Sequence, residues 1–159
     1  MRVLTFEPAR CTGCHTCEET CSQTWFKVVD RDKSRIQILE PDTTGNDNAA
    51  EQYGAVETYG AIICTQCGEC IDICPTKALY RAGNGVVRMN AELCVGCLSC
   101  VGFCPLAAMR MHRDWIEPFK CVACGSCARA CPEEALNVQD LADAEPSQTE
   151  QWAERGTGS

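Results

Sequence analysis

The chain has 159 residues, 16 of them cysteine and only 6% aromatic, and a formal charge of −8. Its length allows one domain or two small ones, and so few aromatic residues leave a core that is thin without help. The acidic balance opposes nucleic acid and anionic membrane surfaces as partners. No apolar run approaches the roughly 18 residues of a transmembrane helix, so no membrane insertion is expected.

In chain order, the alternating segment Val3–Phe6 predicts a short strand. A first cysteine motif follows at Cys11, Cys14, Cys17 and Cys21, continued by Ser22 and the aromatic pair Trp25-Phe26. Ile36–Leu39 reads as a second strand. Residues 41–50 are rich in turn formers that build no core, and Tyr53 and Tyr59 lie in the glycine-punctuated stretch beyond. This insertion is expected to be a surface loop resting on the cysteine loops, with docking of a partner subunit as the sharper alternative. The second motif is Cys64, Cys67, Cys70 and Cys74; the third is Cys94, Cys97, Cys100 and Cys104; the fourth is Cys121, Cys124, Cys127 and Cys131. Between them, Gly83-Asn84-Gly85 predicts a hairpin turn before a strand at Val86–Met89, and Met109–Met111 predicts another strand. After the fourth cysteine of the last three motifs comes Pro-x-x-Ala (Pro75 to Ala78, Pro105 to Ala108, Pro132 to Ala135), which predicts one helical turn leaving each motif. Residues 140–159 are acidic and polar, with Leu141 and Trp152 the only large apolar residues, and read as a mobile tail.

All 16 cysteines fall into four copies of C-x2-C-x2-C-x3-C, with none left over. In this spacing three thiolates occupy three corners of an iron–sulfur cube and the fourth reaches a different cube, so four [4Fe–4S] clusters are expected. Disulfide scaffolds are usually smaller, irregularly spaced and preceded by a signal peptide, and Met1-Arg2-Val3-Leu4-Thr5-Phe6-Glu7-Pro8 does not read as one. Structural zinc takes two cysteine pairs set well apart, which leaves the third and fourth cysteine of each motif without a role. Metal binding is expected to drive folding. Each filled site adds about −2, taking the holoprotein to about −16.

The four motifs must pair. Sequential pairing joins the first to the second and the third to the fourth; nested pairing joins the second to the third and the first to the fourth. Gaps of 42, 19 and 16 residues separate successive motifs. The short second gap with its hairpin suits a self-contained inner unit, and the long first gap suits a chain passing from an outer unit to an inner one, so nesting is favoured. The sites are then Cys11, Cys14, Cys17 with Cys131; Cys121, Cys124, Cys127 with Cys21; Cys64, Cys67, Cys70 with Cys104; and Cys94, Cys97, Cys100 with Cys74. The fold class expected is α+β: an outer ferredoxin-like unit from residues 1–25 and 105–139, an insertion at 26–60, an inner unit at 61–104 and a tail at 140–159.

The four motifs, their uneven gaps and the absence of proline after Cys21 alone resemble the four-cluster polyferredoxin subunits of anaerobic oxidoreductase complexes, over about residues 1–138. That resemblance implies nested pairing. The opening Arg10-Cys11-Thr12-Gly13-Cys14-His15-Thr16-Cys17-Glu18 with Ser34-Arg35-Ile36 is most similar to the small iron–sulfur subunit of bacterial tungsten-dependent aldehyde oxidoreductases. It implies a pterin enzyme of tungsten or molybdenum as catalytic partner, together with a flavin or NAD subunit.

A cube held by four thiolates has no open position for substrate, so the chain is expected to carry electrons and not to be an enzyme itself. No nucleotide loop or nucleophile elbow is found. A free polyferredoxin, an electron-transfer subunit of a formate, hydrogen or carbon monoxide enzyme, and a scaffold linking catalytic subunits are the competing readings, and the expected location is the cytoplasm of an anaerobic cell. Ile71, Ile73, Val95, Leu98, Val101, Phe103 and Val122 are expected to exclude water and favour low potentials. His15 is expected to be an exposed neighbour of the first motif, and His112 has no evident partner. Lys77, Arg110, Lys120 and Arg129 sit near ligands, where solvated charge is the ordinary outcome. Met109 and Met111 are core candidates.

Overall fold

The computed structural model describes residues 1–41 and 58–141. The remainder of the turn-rich insertion with Tyr53, and the tail beyond Leu141 with Trp152, lie outside the described residues.

Among the described residues there are six short strands and four α-helices: β1 (Arg2–Phe6), α1 (Thr16–Phe26), β2 (Gln37–Leu39), β3 (Gly60–Ile62), α2 (Glu69–Ile73), β4 (Leu79–Arg81), β5 (Val87–Met89), α3 (Ser99–Gly102), α4 (Ser126–Ala130) and β6 (Leu136–Asp140). The strands form three two-stranded antiparallel ladders, β1 with β6, β2 with β3 and β4 with β5. The β1–β6 ladder brings the two ends of the described chain together, with Arg2 opposite Asp140 and Phe6 opposite Leu136. α1 packs on α4, and α2 packs on α3. The result is α+β: small ferredoxin-like units of short strands and few helices.

Two buried clusters form the core. Leu4, Ile36, Ile38, Ile62 and Leu136 surround Cys17, Cys64, Cys121 and Cys127; Ala78, Leu79, Val87 and Met109 surround Cys74 and Cys100. Cysteine thus supplies much of the interior that aromatic residues fill elsewhere. Each buried branched residue is worth about 1.5–3 kcal/mol.

Proline decides where the helices stop. A residue before proline is pushed out of the α region, and Cys74 and Cys131 are accordingly extended, ending α2 at Ile73 and α4 at Ala130. The helical turn therefore precedes each fourth cysteine, and the expectation that it follows is corrected. Pro-x-x-Ala instead forms a tight turn. The N–H of Lys77, Ala107 and Glu134 returns to the carbonyl of Cys74, Cys104 and Cys131. The same three residues have positive φ, and Ala78, Ala108 and Ala135 are then buried. Ser22 imposes no such stop after Cys21, so α1 runs 11 residues to Phe26 and carries both Cys17 and Cys21.

The predicted hairpin is present, with Ala82 and Val86 bonded across the turn and Gly85 at φ 79. Met109–Met111 is not a strand; Arg110 and Phe119 form an isolated bridge. Met109 is buried, but Met111 is half exposed because the chain turns outward toward Trp115. In the insertion, Tyr59 lies directly over Gly13 in the first cysteine loop.

Candidate cluster-binding sites

One backbone pattern recurs in all four motifs. The residues two and four places after the first cysteine have positive φ: Gly13 and His15, Gln66 and Gly68, Gly96 and Leu98, Ala123 and Gly125. Left-handed residues set into right-handed backbone turn successive N–H groups to one side, forming a concavity that favours anions. Glycine adopts this freely, whereas His15, Gln66, Leu98 and Ala123 do so at about 1–2 kcal/mol each. Each motif meets that cost once, at one or other of the two places.

The N–H groups find sulfur. Cys21 Sγ accepts from Arg35 N at 3.3 Å, and Cys64, Cys121 and Cys131 accept from Gln66, Ala123 and Ala135 at 3.4 Å each. Hydroxyls add to this at the second cysteine. Ser99 Oγ lies 3.5 Å from Cys97 Sγ and Ser126 Oγ lies 3.6 Å from Cys124 Sγ. Thr16 lowers the Cys14 thiol and Ser99 that of Cys97 through such bonds, and Ser126 overcomes burial to lower Cys124. The deeper sulfurs go the other way. Burial pushes Cys70 to about 11 and Cys17 and Cys121 to about 12, and raises Cys127 and Cys64 as well.

Three small cavities collect the sulfurs. Cys11, Cys14, Cys17 and Cys131 line one of about 20 Å³. Cys21, Cys121, Cys124 and Cys127 line a second of about 10 Å³, and Cys74, Cys94, Cys97 and Cys100 a third of about 20 Å³. Of the remaining four, Cys64 is buried, Cys70 and Cys104 are half-buried and Cys67 is exposed. Cys104 packs against both core clusters. Charge on Cys17 is felt at Cys127, charge on Cys64 at Cys121 and charge on Cys100 at Cys70, so cysteines of different motifs lie near one another.

The donors suit a cluster. All sixteen cysteines are free thiols. Arg35 is stacked on Trp25 at 3.9 Å, and its guanidinium feels Cys21, Cys121 and Cys124. Among the described residues its buried Nε has no partner. An anion between those cysteines would satisfy it.

Four expectations about neighbouring residues need correction. Phe103 is 69% exposed and Ile73 36% exposed, so they do not shield the sulfurs, because single-turn helices present only one side inward; Val95 is 66% exposed but still lines the cavity of Cys74, Cys94, Cys97 and Cys100 together with Leu98. His15 is nearly buried, because its left-handed backbone folds the ring onto Glu18, with Nδ1 2.5 Å from Oε2. Glu18 is itself buried and also accepts from Arg31 Nε and Ile38 N. His112 has a partner in Asp114 and rests on Trp115. Lys120 is 5% exposed and not solvated, whereas Lys77 and Arg129 are exposed. Arg110 bonds the carbonyls of Ser34 and Ile36. Sequence reasoning missed Gln66, Arg35 and the hydroxyls of Thr16, Ser99 and Ser126; the last were legible as Ser or Thr just before the third cysteine.

Comparisons with known proteins agree with this chemistry. Family models described as "4Fe-4S dicluster domain" match residues 10–78 and 57–105, and one described as "4Fe-4S binding domain" matches 115–137. The first takes motifs one and two together, the order of sequential pairing, whereas the cavities group Cys131 with the first motif and Cys21 with the fourth. The beta subunit of NADH-dependent phenylglyoxylate dehydrogenase from Aromatoleum evansii is 34% identical over 55% of this chain and 18% of its own length. The B component of anaerobic dimethyl sulfoxide reductase from Haemophilus influenzae is 31% identical over 55% of this chain and 44% of its own length. A thiosulfate reductase electron transfer subunit from Salmonella typhi is 28% identical over the same shares, 55% and 44%. The match spans less than half of each relative. One polypeptide of the BamBC complex of benzoyl coenzyme A reductase superposes with a TM-score of 0.47 at 16% identity, over 98% of this chain and 89% of that one, too distant to carry an argument. Among the described residues no helix is long and apolar enough to cross a membrane. With 4Fe–4S domains matched over all four motifs, the chain is an iron–sulfur protein of ferredoxin type.

Proposed function

We propose that the chain is the electron-transfer subunit of an oxidoreductase complex, carrying electrons through four [4Fe–4S] clusters between a catalytic subunit and a second redox partner. The ligand sets are the nested ones: Cys11, Cys14, Cys17, Cys131; Cys121, Cys124, Cys127, Cys21; Cys64, Cys67, Cys70, Cys104; and Cys94, Cys97, Cys100, Cys74. The observation that carries this reading is that the fourth cysteine of one motif shares a cavity with the first three of another in three of these sets. Bound clusters supply one-electron chemistry; the chain's own part is to hold the sulfurs, aim N–H groups at them and keep adjacent sets close. The outer unit is residues 1–25 and 105–139 and the inner one 61–104, with 26–60 the insertion and 140–159 the tail.

The relatives' names support a reductase-type complex. The opening motif favours a tungsten or molybdenum pterin enzyme, an aldehyde oxidoreductase first, with a flavin or NAD subunit as second partner in an anaerobic cytoplasm. Anaerobic dithionite titration is expected to deliver about four electrons per chain. Native extract is expected to yield the chain bound to a larger redox subunit; elution alone at 17.4 kDa overturns the subunit reading in favour of a free carrier.

A further inference from the structure

Lys120 lies between two of the cysteine sets and is 5% exposed. Its Nζ donates to Gln66 Oε1 at 2.9 Å and to the Cys121 carbonyl at 3.1 Å. Gln66 is fully buried in the second motif, donates from Nε2 to the Cys121 carbonyl at 3.0 Å, and accepts from Val87 N at 3.0 Å. The amide therefore ties the second motif to the fourth and fixes the ammonium between them. Among the described residues no carboxylate pairs with Lys120. A buried ammonium without a counter-charge is strongly disfavoured, and the residue that holds it belongs to the second motif, since the N–H of Gln66 donates to Cys64 Sγ at 3.4 Å.

The other sets are served differently. Cys17 feels the buried carboxylate of Glu18, which already has Arg31 and His15. The Cys121 set has Arg35, stacked on Trp25 and only partly buried. Among the described residues Lys120 is the deepest cation beside any set.

Resting on the four-cluster reading, we propose that Lys120, held by Gln66, makes the Cys64, Cys67, Cys70, Cys104 site the electron sink of the protein, the cluster of highest potential. One electron from a reduced flavin or iron–sulfur donor takes that cluster from core charge 2+ to 1+, the donor is oxidised by one electron, and no proton moves. The added negative charge is stabilised by a fixed ammonium in a low-dielectric place.

The test is an anaerobic potentiometric titration of the holoprotein followed by electron paramagnetic resonance. Lys120→Met is expected to lower the highest of the four potentials by a factor of ten or more in the reduction equilibrium, about 59 mV for one electron, leaving the others in place. Lys120→Arg keeps the charge and is expected to restore the value. Should Lys120→Met fail to assemble, Gln66→Glu sets a carboxylate against the ammonium and is expected to shift the same potential downward. Four clusters with unchanged potentials in either variant overturn the proposal and leave the four-cluster reading standing. Wild-type protein with fewer than four reducible clusters overturns the reading beneath it.

Discussion

Replacing Cys21 by serine separates the two pairing schemes, provided it is combined with a second substitution. Cys21 is 5% exposed on α1, where its sulfur accepts the Arg35 N–H. Serine leaves an acceptor in place, so the folding penalty stays near about 1 kcal/mol and the main effect falls on the cluster. Each single variant, Cys21→Ser, Cys124→Ser or Cys64→Ser, is expected to lose about one of four intact clusters, counted per chain by Mössbauer spectroscopy. Residues acting in one unit are non-additive and residues in separate units are additive. With Cys21 and Cys124 in one set, their double variant keeps about three clusters, while Cys21 with Cys64 keeps about two. The reverse pattern, about two for the first double and about three for the second, refutes the nested arrangement and restores sequential pairing.

Three other perturbations follow from the same geometry. Gln66→Leu strands the Lys120 ammonium and the Val87 N–H in the interior and is expected to cost at least about 3 kcal/mol, read as an earlier anaerobic melting transition; an unchanged transition contradicts it. Ser22→Pro installs the stop that the first motif lacks, ending α1 near Cys21 and removing the Trp25–Arg35 stack; about 3 kcal/mol of destabilisation and reduced helical circular dichroism are expected. Burial raises Cys17 and Cys121 to about 12 from 9.0. At pH 7 those thiols are protonated, so reconstitution must release protons and weakens as pH falls; a weakly buffered reconstitution that shows no acidification contradicts this.

The cysteine spacing makes the chemistry legible because three ligands within seven residues leave the chain few routes around a cube. Proline is legible too, but its effect falls on the side opposite to the one expected: the ring disfavours helix in the residue before it, so the turn of helix ends ahead of Cys74 and Cys131. The repeated left-handed pairs are hidden in the sequence, since His15, Gln66, Leu98 and Ala123 carry no propensity for that conformation. Lys120 is hidden for a similar reason. A lysine beside a ligand is ordinarily solvated, and only the contact with Gln66, 54 positions away in sequence, reveals that it is buried.

The most direct test is iron and acid-labile sulfide analysis of anaerobically purified protein, with its visible spectrum. About sixteen of each per chain, with broad absorption near 400 nm that bleaches under dithionite, is the result predicted. Values near eight, or a colourless protein that keeps its fold, contradict the account.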